Sequence, residues 1–137
     1  MPPANVEPRN EAVRGFFRAF HGDTEVFAGV LHPEVEWFPI EENHTPYQGL
    51  EAAVRNRNQW LETWEEHRFD VEDVIEDGDS VVAQVHIVAR GRTSGAEVDI
   101  RFYPQFTVRD GKVAYIYDHA DRRAALAAAG LADVPEG

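Results

Sequence analysis

Asp118, His119 and Asp121 close a β-prone run, Val113-Ala114-Tyr115-Ile116-Tyr117-Asp118-His119-Ala120-Asp121, just before an alanine-rich stretch. Carboxylates and imidazoles at a strand end are common donors and acceptors in proton transfer. Side chains alternate along a strand, so Ala114, Ile116 and Asp118 share one face and His119 takes the other. An aspartate among aromatic side chains has its charged form disfavoured, which raises its basicity towards a useful range. The competing reading is a strand-end aspartate that is solvated or bonded to a neighbouring amide. Asp121 has a simpler expected role: it precedes Arg122-Arg123-Ala124-Ala125-Leu126, where a capping aspartate adds about 1 kcal/mol. A further imidazole lies in the run from Val81 to Val88. There Val82, Gln84, His86 and Val88 share one face, and Val81, Ala83, Val85 and Ile87 the other. His86 is expected either to orient Asp118 and act as its conjugate acid, or to sit half-buried and bonded across the sheet.

Several other chemistries are not indicated. Cysteine is absent, which removes disulfides, thiol nucleophiles and thiolate metal sites. The histidines at 21, 32, 44, 67, 86 and 119 form no His-x-His or His-x-x-x-His pair on one element, so no metal site is expected. No glycine-rich phosphate loop follows a strand, and no cofactor is expected. Thirteen basic against twenty-five acidic residues give a net charge of −12, a field that repels nucleic-acid backbones. The amino end lacks the basic and apolar regions of a signal peptide, and no apolar run reaches bilayer-spanning length. A cytoplasmic protein with neither nucleic-acid nor membrane partners is expected.

The 137 residues suffice for one domain with a real core. Residues 1–9 are proline-rich and read as a flexible arm, 10–131 as one domain, and 132–137 as a tail. Val13, Phe16, Phe17 and Phe20 at i, i+3, i+4 and i+7 predict a helix starting near Asn10 and ending at Gly22. Asp23-Thr24-Glu25 starts a second, short helix that His32-Pro33 stops. Val35 to Ile40 reads as a short strand, and Glu41 to Gly49 as a polar loop carrying His44 and Tyr47. A third helix runs from Leu50 to about Glu66, with Trp60 and Trp64 on its buried face. Arg57 falls on that face, so either its stem lies along the core or its head reaches a cavity. Four strands follow: Arg68–Glu76, Ser80–Thr93, Ala96–Arg109 and Lys112–His119, the last two joined by the hairpin signal Asp110-Gly111. Helices first and then an antiparallel meander predict an α+β domain with helices on one face of a curved sheet.

This order resembles the nuclear-transport-factor-2-like superfamily, and within it most closely the SnoaL-like polyketide cyclase group. The resemblance is carried by Phe16-Phe17-Arg18-Ala19-Phe20 before Gly22-Asp23, by Tyr47-Gln48-Gly49 before the long helix, by Arg109-Asp110-Gly111-Lys112-Val113 and by Asp121-Arg122-Arg123-Ala124-Ala125-Leu126. It implies a cone-shaped fold whose curved antiparallel sheet wraps three N-terminal helices, with a pocket inside the cone. Ketosteroid isomerases of the superfamily use two aspartates, at positions that resemble Phe38 and Pro104 or Gln105 here. Limonene-epoxide hydrolases use a last-strand aspartate, which Asp118 matches, and an Arg-x-Asp that falls on Gln84-Val85-His86. SnoaL-like cyclases use an aspartate base and a nearby histidine in an apolar cavity.

The resemblance therefore implies a small apolar ligand in an aromatic cavity, with Asp118 as general base and His86 and Gln84 orienting it or polarising an oxygen. Trp37, Trp60, Trp64, Phe102 and Ile116 would supply apolar walls, Arg57 a polar contact, and His44 and Tyr47 a gate. The polar sheet face carrying Arg101, Tyr103 and Gln105 suggests a homodimer. Two alternatives stand beside the cyclase or isomerase: an epoxide hydrolase with Asp118 activating water, and a non-catalytic ligand-binding or dimerisation module.

Overall fold

The computed structural model describes residues 8–39, 46–77 and 80–128. Helix α1 (Pro8–Phe20) begins two residues before Asn10, with a proline at its first position, where the missing N–H costs nothing. Its stripe of Val13, Phe16, Phe17 and Phe20 is almost wholly buried. Each such side chain contributes about 1.5–3 kcal/mol by leaving water. Helix α2 (Thr24–Gly29) follows, burying Phe27, and Asp23 makes no side-chain capping bond there. Pro33 does not end that helix. It lies inside strand β1 (Leu31–Phe38), two residues from the strand's start.

Tyr47–Gln48, expected in a loop, form a two-residue strand β2 antiparallel to β1. Helix α3 (Leu50–Thr63) ends three residues earlier than its apolar spacing suggests, and Trp64 already opens strand β3 (Trp64–Asp77). The meander continues through β4 (Ser80–Gly91), β5 (Glu97–Arg109) and β6 (Lys112–His119). The β5–β6 turn places Asp110 and Gly111 at φ 55° and 75°, the left-handed pair that a two-residue hairpin requires.

The strands form one open sheet in the order β2-β1-β6-β5-β4-β3. All pairs are antiparallel except β1 and β6, which run parallel with Trp37 opposite Ile116. Irregularities bend it. Between Val71 and Asp73 the β3–β4 register shifts, so both Val71 and Val74 reach the core despite their odd spacing. A bulge of this kind adds a residue to one strand and increases its twist. A second shift, between Thr107 and Val108, leaves Ala114 out of the β5–β6 register.

The concave face takes α1, α2 and α3 around a core that includes Phe16, Phe27, Val35, Ala53, Val85 and Phe106. On the convex face, α4 (Arg122–Ala128) lays Ala125 and Leu126 over Val82, Ile75 and Tyr103. Asp121 caps α4, its Oδ1 accepting the Arg123 amide at 2.8 Å. This is the α+β cone anticipated from the order of elements. Among the described residues no helix is long and apolar enough to cross a membrane.

Candidate functional site

A cavity of about 280 Å³ lies between the helices and the concave face. Helix α1 contributes Phe16, Phe17 and Phe20, and β1 with the residue after it contributes Trp37 and Pro39. Asn56 and Trp60 reach it from α3, Trp64 and Phe69 from β3, and Ile87 from β4. Strand β5 supplies Ile100, Phe102 and Phe106, and β6 supplies Asp118. The rings lock one another edge to face: Phe16 meets Trp37 at 5.7 Å and 76°, and Trp60 meets Phe69 at 5.0 Å and 79°. Such pairs add about 0.5–1.5 kcal/mol beyond their buried area. Ile100 is 44% exposed and marks the mouth.

Among the described residues of this wall Asp118 is the one ionisable side chain. Its strand partner is Pro104, and two residues earlier Ile116 pairs with Phe106, so the inward face of β6 delivers the carboxyl into an aromatic enclosure. The Trp37 indole N–H donates to Asp118 Oδ2 at 3.0 Å. Removal from water pushes the Asp118 carboxyl from 3.8 up to about 7, against the pull of the Trp37 bond, which favours the ionised form. A carboxyl with that affinity exchanges its proton readily near neutrality, as a general acid or base requires. Asn56 is the amide on the same wall, able to donate to or accept from a ligand oxygen.

Of the residues singled out from sequence, Trp37, Trp60, Trp64, Phe102 and Asp118 line this cavity together. The others are elsewhere. His86 does not meet Asp118: Val85 and Ile87 face inward, so alternation turns His86 and Gln84 to the convex side of the sheet. There His86 Nε2 bonds the exposed Asp99 carboxylate at 2.6 Å. Gln84 donates to Glu72 at 2.8 Å, and Glu72 also holds Arg101 through two contacts of 2.7 and 3.0 Å.

Arg57 is buried but serves the fold. Its Nε donates to the Phe20 carbonyl at 2.9 Å and Nη2 to the Gly22 carbonyl, while Nη1 bonds Asn58 Oδ1 at 2.7 Å. The guanidinium lies over the Phe27 ring, 5.4 Å from its centroid. Arg57 therefore ties α3 to the α1–α2 turn, whose carbonyls have no helical partner of their own. Tyr47 pairs with Trp37 across β1 and β2 and packs on the core without reaching the cavity wall. Ile116 is core. His44 lies outside the described residues. His119 faces outward and bonds Gln105 at 3.1 Å.

Sequence reasoning did not name Asn56, Phe69, Ile87, Ile100 or Phe106 as wall residues, and it read Phe16, Phe17 and Phe20 as core alone. The signal for Asn56 was its place four residues before Trp60, on the same helical face. Ile87 and Phe69 carried no such signal, because which face of their strands turns inward depends on where the helices dock. His21 and His67 stack beside this wall at 4.7 Å and 17°, and burial lowers the proton affinity of both. Among the described residues no group of three or more His, Asp and Glu side chains is placed to hold a metal ion.

The geometry has close counterparts among solved structures. A SnoaL-like candidate polyketide cyclase from Jannaschia sp. CCS1 superposes with a TM-score of 0.75 at 22% identity, covering 98% of this chain and 99% of that one. TerC, crystallised with polyporic acid, gives 0.72 at 24% identity, over 86% and 95% of the two chains. An M. tuberculosis epoxide hydrolase of the limonene-epoxide-hydrolase type gives 0.70 at 15% identity, over 91% and 93%. At these identities the likeness is one of fold. No curated protein sequence matches. The SnoaL-like domain family, in contrast, matches residues 13–116, most of the chain and every wall residue except Asp118, and the protein belongs to that family.

Proposed function

We propose that this protein is a cofactor-independent acid–base enzyme for a small, largely apolar molecule bearing one carbonyl, with Asp118 as the proton-transferring group. The observation that carries this reading is a carboxyl of near-neutral proton affinity, the one ionisable group among the described residues of a largely aromatic wall whose other polar side chain is Asn56. A cavity of about 280 Å³ sits at the lower edge of ligand-pocket sizes, about 300–1,000 Å³, and suits one or two rings. In the proposed step the ionised Asp118 takes a proton from the carbon beside the carbonyl; the C–H electron pair becomes a C=C bond, and the carbonyl π pair moves onto the oxygen. The Asn56 amide is the wall group suited to donate to that oxygen. The same carboxyl then returns its proton to a carbon or oxygen of the rearranged ligand, so no net proton is consumed.

The epoxide hydrolase reading is disfavoured, because among the described residues of the wall no arginine and no second carboxylate stands beside Asp118. A homodimer through the part of the convex face that α4 leaves uncovered belongs to the same proposal. The Phe38 ring, stacked on Tyr117 at 5.3 Å and tilted against Tyr115 at 5.6 Å on that side of β1 and β6, supports it.

The test is solvent-deuterium exchange at the α-carbon of a panel of cyclic ketones, followed by NMR with wild type and Asp118→Asn. Exchange that the variant loses by a hundredfold or more, about the contribution of a general base, is the expected result. Binding by both proteins without exchange in either would replace the enzyme with a ligand-binding module.

A further inference from the structure

The indole of Trp37 does more than wall the cavity. It belongs to β1, where it pairs in parallel register with Ile116, two residues before Asp118 on the neighbouring strand. Phe16, Phe20 and Phe27 surround it with ring centroids 5.7–6.3 Å away, and it is 6% exposed, so its N–H has a fixed direction. That direction is Asp118 Oδ2, at 3.0 Å. Among the described residues no other donor reaches this carboxyl.

An indole nitrogen donates and never accepts. Oδ2 therefore accepts in both protonation states, and because the carbonyl oxygen of a neutral carboxyl accepts better than its hydroxyl oxygen, the exchangeable proton of neutral Asp118 is favoured on Oδ1. From this one-sided arrangement we infer that Trp37 is a positioning residue, which holds Oδ2 as a permanent acceptor and makes Oδ1 the single working oxygen of the site. The inference rests on the acid–base reading of Asp118 and assigns the direction from which a ligand meets it. A neutral ligand presents an acceptor, such as a carbonyl oxygen, to the Oδ1 proton, and the ionised form presents Oδ1 to an acidic C–H. The same bond restrains the carboxyl's proton affinity, since a donor to the ionised form favours ionisation.

The test needs no substrate, which separates its failure from a failure of the catalytic reading. The Asp118 carboxyl carbon is followed by NMR through a pH titration in wild type and in Trp37→Phe. Removing the donor is expected to raise the midpoint by about one pH unit, a tenfold weaker acid. In parallel, the Trp37 indole N–H resonance of the wild type is expected to shift with the same midpoint as the carboxyl. In Asp118→Asn, which keeps an acceptor but does not titrate, that resonance should be flat. The second measurement stands even if Trp37→Phe fails to fold. A midpoint unmoved or lowered in Trp37→Phe, or an indole resonance indifferent to the carboxyl's titration, would overturn the assignment.

Discussion

Replacing Asp118 with asparagine should stabilise the protein, and by an amount that depends on pH. Wild type holds a carboxyl whose proton affinity is raised from 3.8 to about 7 in the native state. A raised acid keeps its proton on folding, so the native state is favoured while the group stays neutral. Stability is lost as pH climbs from the unfolded value through the folded one, and the loss levels off above it. The gap is about three pH units at about 1.4 kcal/mol each, so full ionisation costs about 4 kcal/mol. At about pH 4 the cost is still under about 1 kcal/mol. Asparagine fills the same space, accepts the Trp37 N–H and never ionises. The difference in unfolding free energy between Asp118→Asn and wild type should therefore grow by about 3–4 kcal/mol between about pH 4 and pH 8. For a domain of this size that corresponds to roughly 10 °C or more in melting temperature at the alkaline end. Urea unfolding of both proteins across that range is the assay, and every other titrating group cancels in the difference. A difference that stays constant within about 0.5 kcal/mol would show that Asp118 titrates as an ordinary aspartate, and the acid–base reading would fall with it.

Two further substitutions separate the fold's own machinery from the site's. Arg57→Leu should cost about 2–3 kcal/mol by urea unfolding, because it strands the buried Phe20 carbonyl and removes the bond to Gly22 in the exposed turn. Arg57→Lys should recover part of that loss, and a cost below about 1 kcal/mol for the leucine variant would contradict the clamp. His86→Ala should leave the Asp118 carboxyl titration unmoved by NMR and cost less than about 1 kcal/mol, since it removes a pair with Asp99, which is 72% exposed, and a charge interaction with Glu72 on the same solvent-facing side. A displaced midpoint would instead couple His86 to the cavity.

Much of the fold could be read from periodicity because periodicity is local. The α1 stripe, the Asp110-Gly111 turn and the span of β6 depend on neighbours in the chain, and the structure repeats them. Trp64 misled for the same reason: four residues after Trp60 it fits a helical face, yet it opens β3, where its ring still lies 6.0 Å from that of Trp60. Alternation showed that Gln84 and His86 share a face, but which face turns inward depends on where the helices dock, which the strand itself does not encode. Arg57 was legible as buried, whereas its partners lie 35 and 37 positions away and are backbone carbonyls, which leave no sequence signature. The bond that most defines the site, Trp37 to Asp118, joins residues 81 positions apart across a parallel strand pair.

That parallel pair also fixes when the site comes into being. Strand β6 is the last of the sheet to leave the ribosome, yet it docks in the middle, between β1 and β5. A nascent chain with every earlier strand made has most of the aromatic wall but no acid in it. The β5–β6 hairpin is local, but pairing β6 with β1, which brings Trp37 to Asp118, closes a long loop, and such non-local pairings form slowly. Because Asp118 is ionised in the open chain and largely neutral once enclosed below about pH 7, this step takes up a proton. Maturation of the cavity is thus a protonation event. Enclosure of the carboxyl should therefore become less favourable as the medium turns alkaline, whatever ligand the finished cavity receives.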